Sequence, residues 1–183
     1  ADWRCGCGDG PVDQARVKFK VEADVEGVLA YTTSIKNRHD RSAGSFLYVI
    51  DKGKDWRQVY RAVKMPWPLR QRDFVYTEHV RRAEEEVVVC SRSSAELNDT
   101  TSAELSMKQG RVRAEMKLGG FLLRPCVGGG TEIVFCLDVD LGGTFAIDYF
   151  HRKVAPTYLK GVVDEYRAFS DRWEASRDGE GEL

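Results

Sequence analysis

The sequence predicts an α+β fold, a strongly curved antiparallel sheet with one long amphipathic helix laid across its concave face. Three observations carry this. Segments rich in β-branched and aromatic residues follow one another with short, turn-prone connections, as sequential antiparallel strands do. No internal repeat, low-complexity tract or Pro/Ser-rich linker divides them. The last segment then changes period: Phe150, Val154, Tyr158, Leu159, Val162, Val163, Tyr166, Phe169 and Trp173 recur at spacings of three and four, one apolar stripe along a helix.

Taken in order, residues 17–21 read Val-Lys-Phe-Lys-Val, a strand by strict alternation, and residues 25–36 suit a short helix. Strands are expected at 46–50, 56–65, 74–82, 87–92, 111–123 and 131–139. Asp51-Lys52-Gly53 separates the first two of these, and Gly128-Gly129-Gly130 the last two. The glycine run lacks the Lys-Ser/Thr and following helix of a phosphate loop, so it reads as a hairpin turn. Pro156 removes a helical hydrogen bond, which places the well-formed part of the final helix at 157–175. The domain is set at residues 1–176, with 177–183 as a polar, frayed tail.

The chain's 183 residues suit one domain, which at that size removes about 70% of the unfolded chain's surface from water. With 42% hydrophobic and 31% charged residues and a net charge of −1, there is no basic excess of the kind that marks a nucleic-acid partner. No apolar run approaches the ~20 residues of a membrane-spanning helix, and no signal peptide is visible, so a cytoplasmic location is expected. The start at Ala1 suggests a segment of a longer protein. Five cysteines without scaffold spacing read as free thiols. Cys5 and Cys7 could hold a metal only with two further ligands, and no second pair has suitable spacing; no metal or other cofactor is expected.

The run Lys64-Met65-Pro66-Trp67-Pro68-Leu69-Arg70-Gln71-Arg72-Asp73-Phe74-Val75-Tyr76 closely resembles the START (steroidogenic-acute-regulatory-related lipid transfer) domain family: a strand, a Pro-aromatic-Pro corner, then Arg-Asp-Phe-Val entering the next strand. A second block is similar too, from Val112-Arg113-Ala114-Glu115 through Gly120, Pro125 and Gly130-Thr131 to Asp140 and Gly142. The likeness covers residues 56–173. Before Trp56 it weakens: Arg38-His39-Asp40-Arg41 stands where a Trp-Asp is usual, and the family's N-terminal helix is not evident. The resemblance implies a helix-grip fold, in which the C-terminal helix closes a cavity holding one sterol, ceramide or phospholipid for transfer or sensing, without catalysis. It implies a lipid ligand, transient contact with a membrane surface, peripheral membrane association and a monomeric domain within a larger protein. Burying a sixteen-carbon chain at about 0.8 kcal/mol per methylene gives roughly 12 kcal/mol gross, enough for tight holding.

Alternation along the strands nominates Tyr76, Glu78, Val112, Ala114, Met116 and Leu118 as cavity-lining residues, with Phe135 from the last strand, whose two faces are both apolar. The family fold adds Val162, Val163 and Tyr166 from the facing helix. The opposite parity would turn Thr77, Arg113 and Lys117 inward. Arg61 and Glu78 each have apolar or aromatic neighbours two residues away; facing the cavity they would form a buried pair meeting the headgroup, and facing outward they would be solvated. Several sterol and phosphatidylcholine members carry arginine at the position of Glu78. The reversed sign here favours a hydroxyl, amide or amine headgroup.

Gly142, Gly143, Thr144, Phe145 and Ile147, before the long helix, are expected to form the gate, with residues 95–106 as a mobile loop beside the mouth. Trp67 reads as packing in its corner, or alternatively as a membrane contact. His39, His79 and His151 are scattered, and no nucleophile elbow or HExxH motif exists. Two other functions stay open: a polyketide or steroid cyclase or hydrolase on the same scaffold, using Arg61, Glu78 and Tyr76, or an interaction module with a filled cavity.

Overall fold

Alternating apolar residues give a sheet two unlike faces, and the computed structural model of the protein shows which face each strand buries. It describes residues 2–5, 14–35, 46–65, 70–93, 110–142 and 155–179. Among them are β1 (Asp2–Cys5), β2 (Gln14–Val21), α1 (Val25–Thr33), β3 (Phe46–Lys52), β4 (Trp56–Val63), β5 (Arg72–Arg82), β6 (Val87–Arg92), β7 (Val112–Arg113), β8 (Glu115–Pro125), β9 (Thr131–Asp140) and α2 (Ala155–Gly179). The strands form one sheet in the order β1-β2-β9-β8-β6-β5-β4-β3, antiparallel throughout, with β7 pairing β5 in parallel. This is the antiparallel sheet expected from the pattern, in the helix-grip arrangement that the family resemblance implies.

Three details differ from expectation. The strand β1, in a segment of cysteines and glycines, carries no alternating pattern, yet it pairs with β2 in the register Asp2↔Lys18. The single strand expected at 111–123 is broken at Ala114 into β7 and β8, and a bulge between Met116 and Leu118 shifts the register against β9. The long helix starts at Ala155, so Pro156 occupies its first turn, where the missing N–H has no helical partner to lose. The helix also runs on to Gly179, beyond residue 175.

The inner face carries Val17, Phe19, Val59, Phe74, Tyr76, Val89, Leu123, Ile133 and Phe135, all buried beneath α1 and α2. Local chemistry fixes both helices. Asp24 caps α1 by accepting from Gly27 N at 2.7 Å. Ser170 Oγ in α2 accepts from Glu22 N and Ala23 N at 2.9 and 3.0 Å, which ties the helix to the β2–α1 connection. Tyr31 stacks on Phe169 with centroids 4.0 Å apart, and Thr32 Oγ1 and Tyr166 Oη share a hydrogen bond of 2.7 Å. The two helices thus dock on each other as well as on the sheet.

Arg72 and Asp73, the start of the family motif, point to opposite faces as neighbours in a strand must. On the inner side Arg72 Nε donates to Leu141 O at 2.7 Å and pins the end of β9. Burial holds its guanidinium pKa below the usual value, and nearby Arg70 adds to the effect. On the outer side Asp73 is fully buried, accepting from Tyr60 Oη at 2.9 Å and Arg113 Nε at 3.0 Å. Tyr60, Ala62 and Val75 form a second apolar cluster around it.

Candidate lipid cavity

Between the inner face and α2 lies a cavity of about 280 Å³, walled by Arg61, Tyr76, Glu78, Val89 and Ser91 from the middle strands. Met116, Phe121, Phe135 and Leu137 close it from β8 and β9, and Tyr158, Gly161, Val162, Glu165 and Tyr166 roof it. A side chain at Gly161 would meet nothing within 4 Å, so the helix opens onto free space there. A second lobe of about 130 Å³ shares Arg61, Met116, Leu137 and Tyr158 with the first, and extends past Val63, Phe74 and Val139 to Leu141. The curl of the sheet requires a close strand approach at Gly120, where a Cβ would stand 2.0 Å from Val89 O.

The polar end of the cavity is organised by strand register. Glu78 is 2% exposed and lies directly across from Arg57 on β4 and Ser91 on β6. Arg57 Nε donates to Glu78 Oε1 at 2.8 Å, and Nη2 contacts the same oxygen. Arg57 Nη1 also donates to Thr33 O at 2.6 Å, so one guanidinium joins the cavity carboxylate to the last carbonyl of α1. Ser91 Oγ faces Glu78 Oε2 at 3.4 Å. Tyr31 Oη donates to Glu165 Oε1 at 3.1 Å on the roof.

Of the residues nominated from the sequence, Arg61, Tyr76, Glu78, Met116, Phe135, Val162 and Tyr166 share this cavity. Four do not. Leu118 is 38% exposed, because the bulge after Met116 reverses the strand's parity and hands the inward positions to Gly119, Phe121 and Leu123. Ala114 is buried at the break between β7 and β8, where its N–H donates to Asp73 O at 2.9 Å. Val112 pairs with Arg72 in the short β7, away from the cavity. Val163 turns to the other flank of α2, where it lines a separate groove with Val17 and Leu159.

The expected ion pair of Glu78 with Arg61 is also corrected. The register sets Arg61 opposite Phe74 and Arg57 opposite Glu78, so the guanidinium on the carboxylate is that of Arg57, while Arg61 stands elsewhere on the cavity wall. Sequence reasoning missed Arg57, Ser91, Phe121, Leu137, Tyr158 and Glu165. A signal for Arg57 existed: it and Glu78 are equally distant from the Trp67–Pro68 bond at the middle of the connecting corner.

Gly142 closes β9 in a left-handed turn, φ +72°, its N–H bonded to Asp140 Oδ1 at 2.8 Å. The other gate positions, Gly143, Thr144, Phe145 and Ile147, lie outside the described residues, as do Cys7, Trp67, His39, His151 and the loop 95–106. His79 is exposed on the strand. Cys90, Cys126 and Cys136 are free thiols, and burial raises the pKa of Cys136, with Cys90 nearby adding to the shift. Among the described residues no cluster of three or more His, Cys, Asp or Glu side chains is placed to hold a metal ion.

The model of the START domain matches residues 14–175, from the first inner-face strand through nearly all of α2. The chain belongs to the START domain family. In structure, this START domain is similar to the human StAR-related lipid transfer protein 5, with 16% identity over 94% of this chain and 81% of that one and a TM-score of 0.70. It is similar as well to the human StarD13 (DLC2) lipid transfer and protein localization domain, with 17% identity, 86% and 76% coverage and a TM-score of 0.69. The STAR-related lipid transfer protein from Xanthomonas axonopodis shares the fold at 16% identity, 85% and 84% coverage and a TM-score of 0.65. No curated protein sequence matches the chain.

Proposed function

We propose that this START domain binds one lipid between its sheet and α2, for transfer between membranes or for lipid sensing. The observation that carries the reading is a cavity lined mainly by apolar and aromatic side chains with a few polar groups set among them, the kind of lining an amphipathic guest requires. Family membership agrees, as do the lipid transfer proteins among its structural neighbours. In this reading Arg61, Tyr76, Glu78, Met116, Phe135, Val162 and Tyr166 contact the lipid. Glu78 serves binding and not proton transfer, since its carboxylate is held by Arg57. The protein works as a binding module in the cytoplasm, touching membranes transiently.

Entry and exit proceed by displacement of the segment from Gly142 to Ile147 rather than by opening the sheet, whose ladder hydrogen bonds would have to break together. Native mass spectrometry of the protein purified from lipid-rich cells tests the reading. A retained lipid of defined mass, released on denaturation, is the expected result. Protein that never carries lipid, and that takes none up from vesicles of mixed sterol, ceramide and phospholipid, would overturn it.

A further inference from the structure

We infer that Tyr158 is the side chain that takes hold of the polar head of the guest, and that the head lies beneath the first turns of α2, where the two lobes of the cavity meet. This rests on the reading of the cavity as a lipid site. Tyr158 belongs to the wall of both lobes, as do Arg61, Met116 and Leu137. It is the fourth residue of α2, which begins at Ala155.

The hydroxyl of Tyr158 is set apart by its lack of a partner. The charged side chains on the two lobes are Arg61, Lys64, Glu78 and Glu165, and all of them interact within the protein. Glu78 is held by Arg57 and faces Ser91, and Glu165 accepts from Tyr31. Of the other two lining tyrosines, Tyr166 shares a hydrogen bond with Thr32, and Tyr76 has interactions of its own. Tyr158 packs its ring against Phe135, centroids 6.1 Å apart, yet among the described residues its hydroxyl makes no hydrogen bond.

A phenol hydroxyl can donate one hydrogen bond and accept another, and leaving it unpaired out of water costs free energy. Tyr158 is half-buried, so water can serve it while the cavity is empty. A guest that fills the lobes displaces that water and must replace its hydrogen bonds. An apolar tail cannot do so; the hydroxyl, amide or ester oxygen of a lipid head can. The bond would also fasten the start of α2 to its guest. The far end of the helix is already tied, by Ser170 to Glu22 N and Ala23 N and by Phe169 to Tyr31. Occupancy therefore steadies the end of α2 where Tyr158 stands.

Tyr158→Phe tests the inference, because it deletes the hydroxyl and keeps the ring on Phe135. Parent and variant are titrated with phosphatidylcholine vesicles containing cholesterol and ceramide, and the lipid each protein extracts is measured by mass spectrometry. The variant should unfold at the parent's urea midpoint, since the deleted hydroxyl bonds to no described residue. Its affinity for whichever of the three lipids the parent extracts should fall about two- to tenfold, the worth of one neutral hydrogen bond. Lipid loading should slow amide exchange in the first two turns of α2, and slow it less in the variant. Tyr166→Phe, by contrast, breaks the bond to Thr32 and should lower the urea midpoint. Parent-like affinity in Tyr158→Phe would overturn the assignment. A lowered urea midpoint in that variant would do the same, since the hydroxyl would then serve the fold. Equal protection of α2 in both proteins would place the head elsewhere. Failure of the parent itself to extract any of the three lipids would remove the lipid reading.

Discussion

Replacing Arg57 with methionine should be among the most damaging single changes in this domain, although the residue lies outside both family motifs. Its side chain is 17% exposed and that of Glu78 is 2% exposed, so the substitution strands a carboxylate in the cavity wall. Breaking a buried pair from one side costs about 3–5 kcal/mol, because the survivor keeps its desolvation penalty. Loss of the bond to Thr33 O adds about 1 kcal/mol, since that carbonyl at the end of α1 can find water. Against a typical stability of about 5–15 kcal/mol, this removes about a quarter or more. Arg57→Met combined with Glu78→Leu removes both charges and should recover most of the loss. Urea unfolding of the two single variants and the double variant gives the coupling energy directly. A matching cycle of Arg61→Met with Glu78→Leu should show weaker coupling, as Arg61 stands opposite Phe74. If Arg57→Met costs less than about 1 kcal/mol, or if the double variant is as unstable as the two singles added together, the pair is not the buried, mutually dependent element argued here.

Three further outcomes follow from the same structure. Ser170→Ala leaves Glu22 N and Ala23 N without their acceptor and should cost about 2–3 kcal/mol, with faster amide exchange confined to those two residues and the start of α1. Gly120→Ala drives a Cβ against Val89 O and should destabilise by more than about 3 kcal/mol in thermal unfolding, whereas alanine at Gly161, inside α2 and meeting no neighbour, should stabilise by about 0.5–1 kcal/mol. Tyr60 is pushed up to about 12 from 10.0, first by burial and then by its hydrogen bond to Asp73. Its raised value means that stability is fully present below pH 10 and falls as the pH climbs towards 12; phenolate absorbance should show this late step in the native protein and lose it in Tyr60→Phe.

The sheet, most of its strands and the closing helix were legible because period two and period three-to-four are written directly into buried faces; β1 and the split of β7 from β8 were not. The cavity was legible only where that period ran unbroken. Tyr76 and Glu78 follow from Phe74 by simple alternation, and Met116 follows from Ala114. The count fails at Leu118 because a bulge changes which residues face inward without changing composition, and Leu118 is as apolar as a lining residue would be. Pairing is harder still. Apolar flanks nominated Arg61 and Glu78 as charges that are buried if their faces turn inward, a parity left open, and which charges then touch depends on register. Val163 fails for another reason: the cavity takes the stripe of α2 through Tyr158, Gly161, Val162, Glu165 and Tyr166, and Val163, about 100° on from Val162, falls beyond its edge on the flank of Leu159 and Arg167.

The placement of the ion pair also bears on why a lipid-sized cavity keeps charges that apolar residues could replace at little cost in stability. Arg57 bonds at once to a cavity carboxylate and to the last carbonyl of α1, and α1 in turn meets α2 through Tyr31, Thr32, Phe169 and Tyr166. A guest that hydrogen-bonds Glu78 would therefore alter the electrostatics of a side chain that ties the end of α1 to the sheet. An apolar pair at these positions could match the stability, yet it would leave α1 and the polar end of the cavity energetically independent. The charged pair makes occupancy of the cavity and anchoring of the helix interdependent, which is what a protein that must both hold a ligand and release it requires.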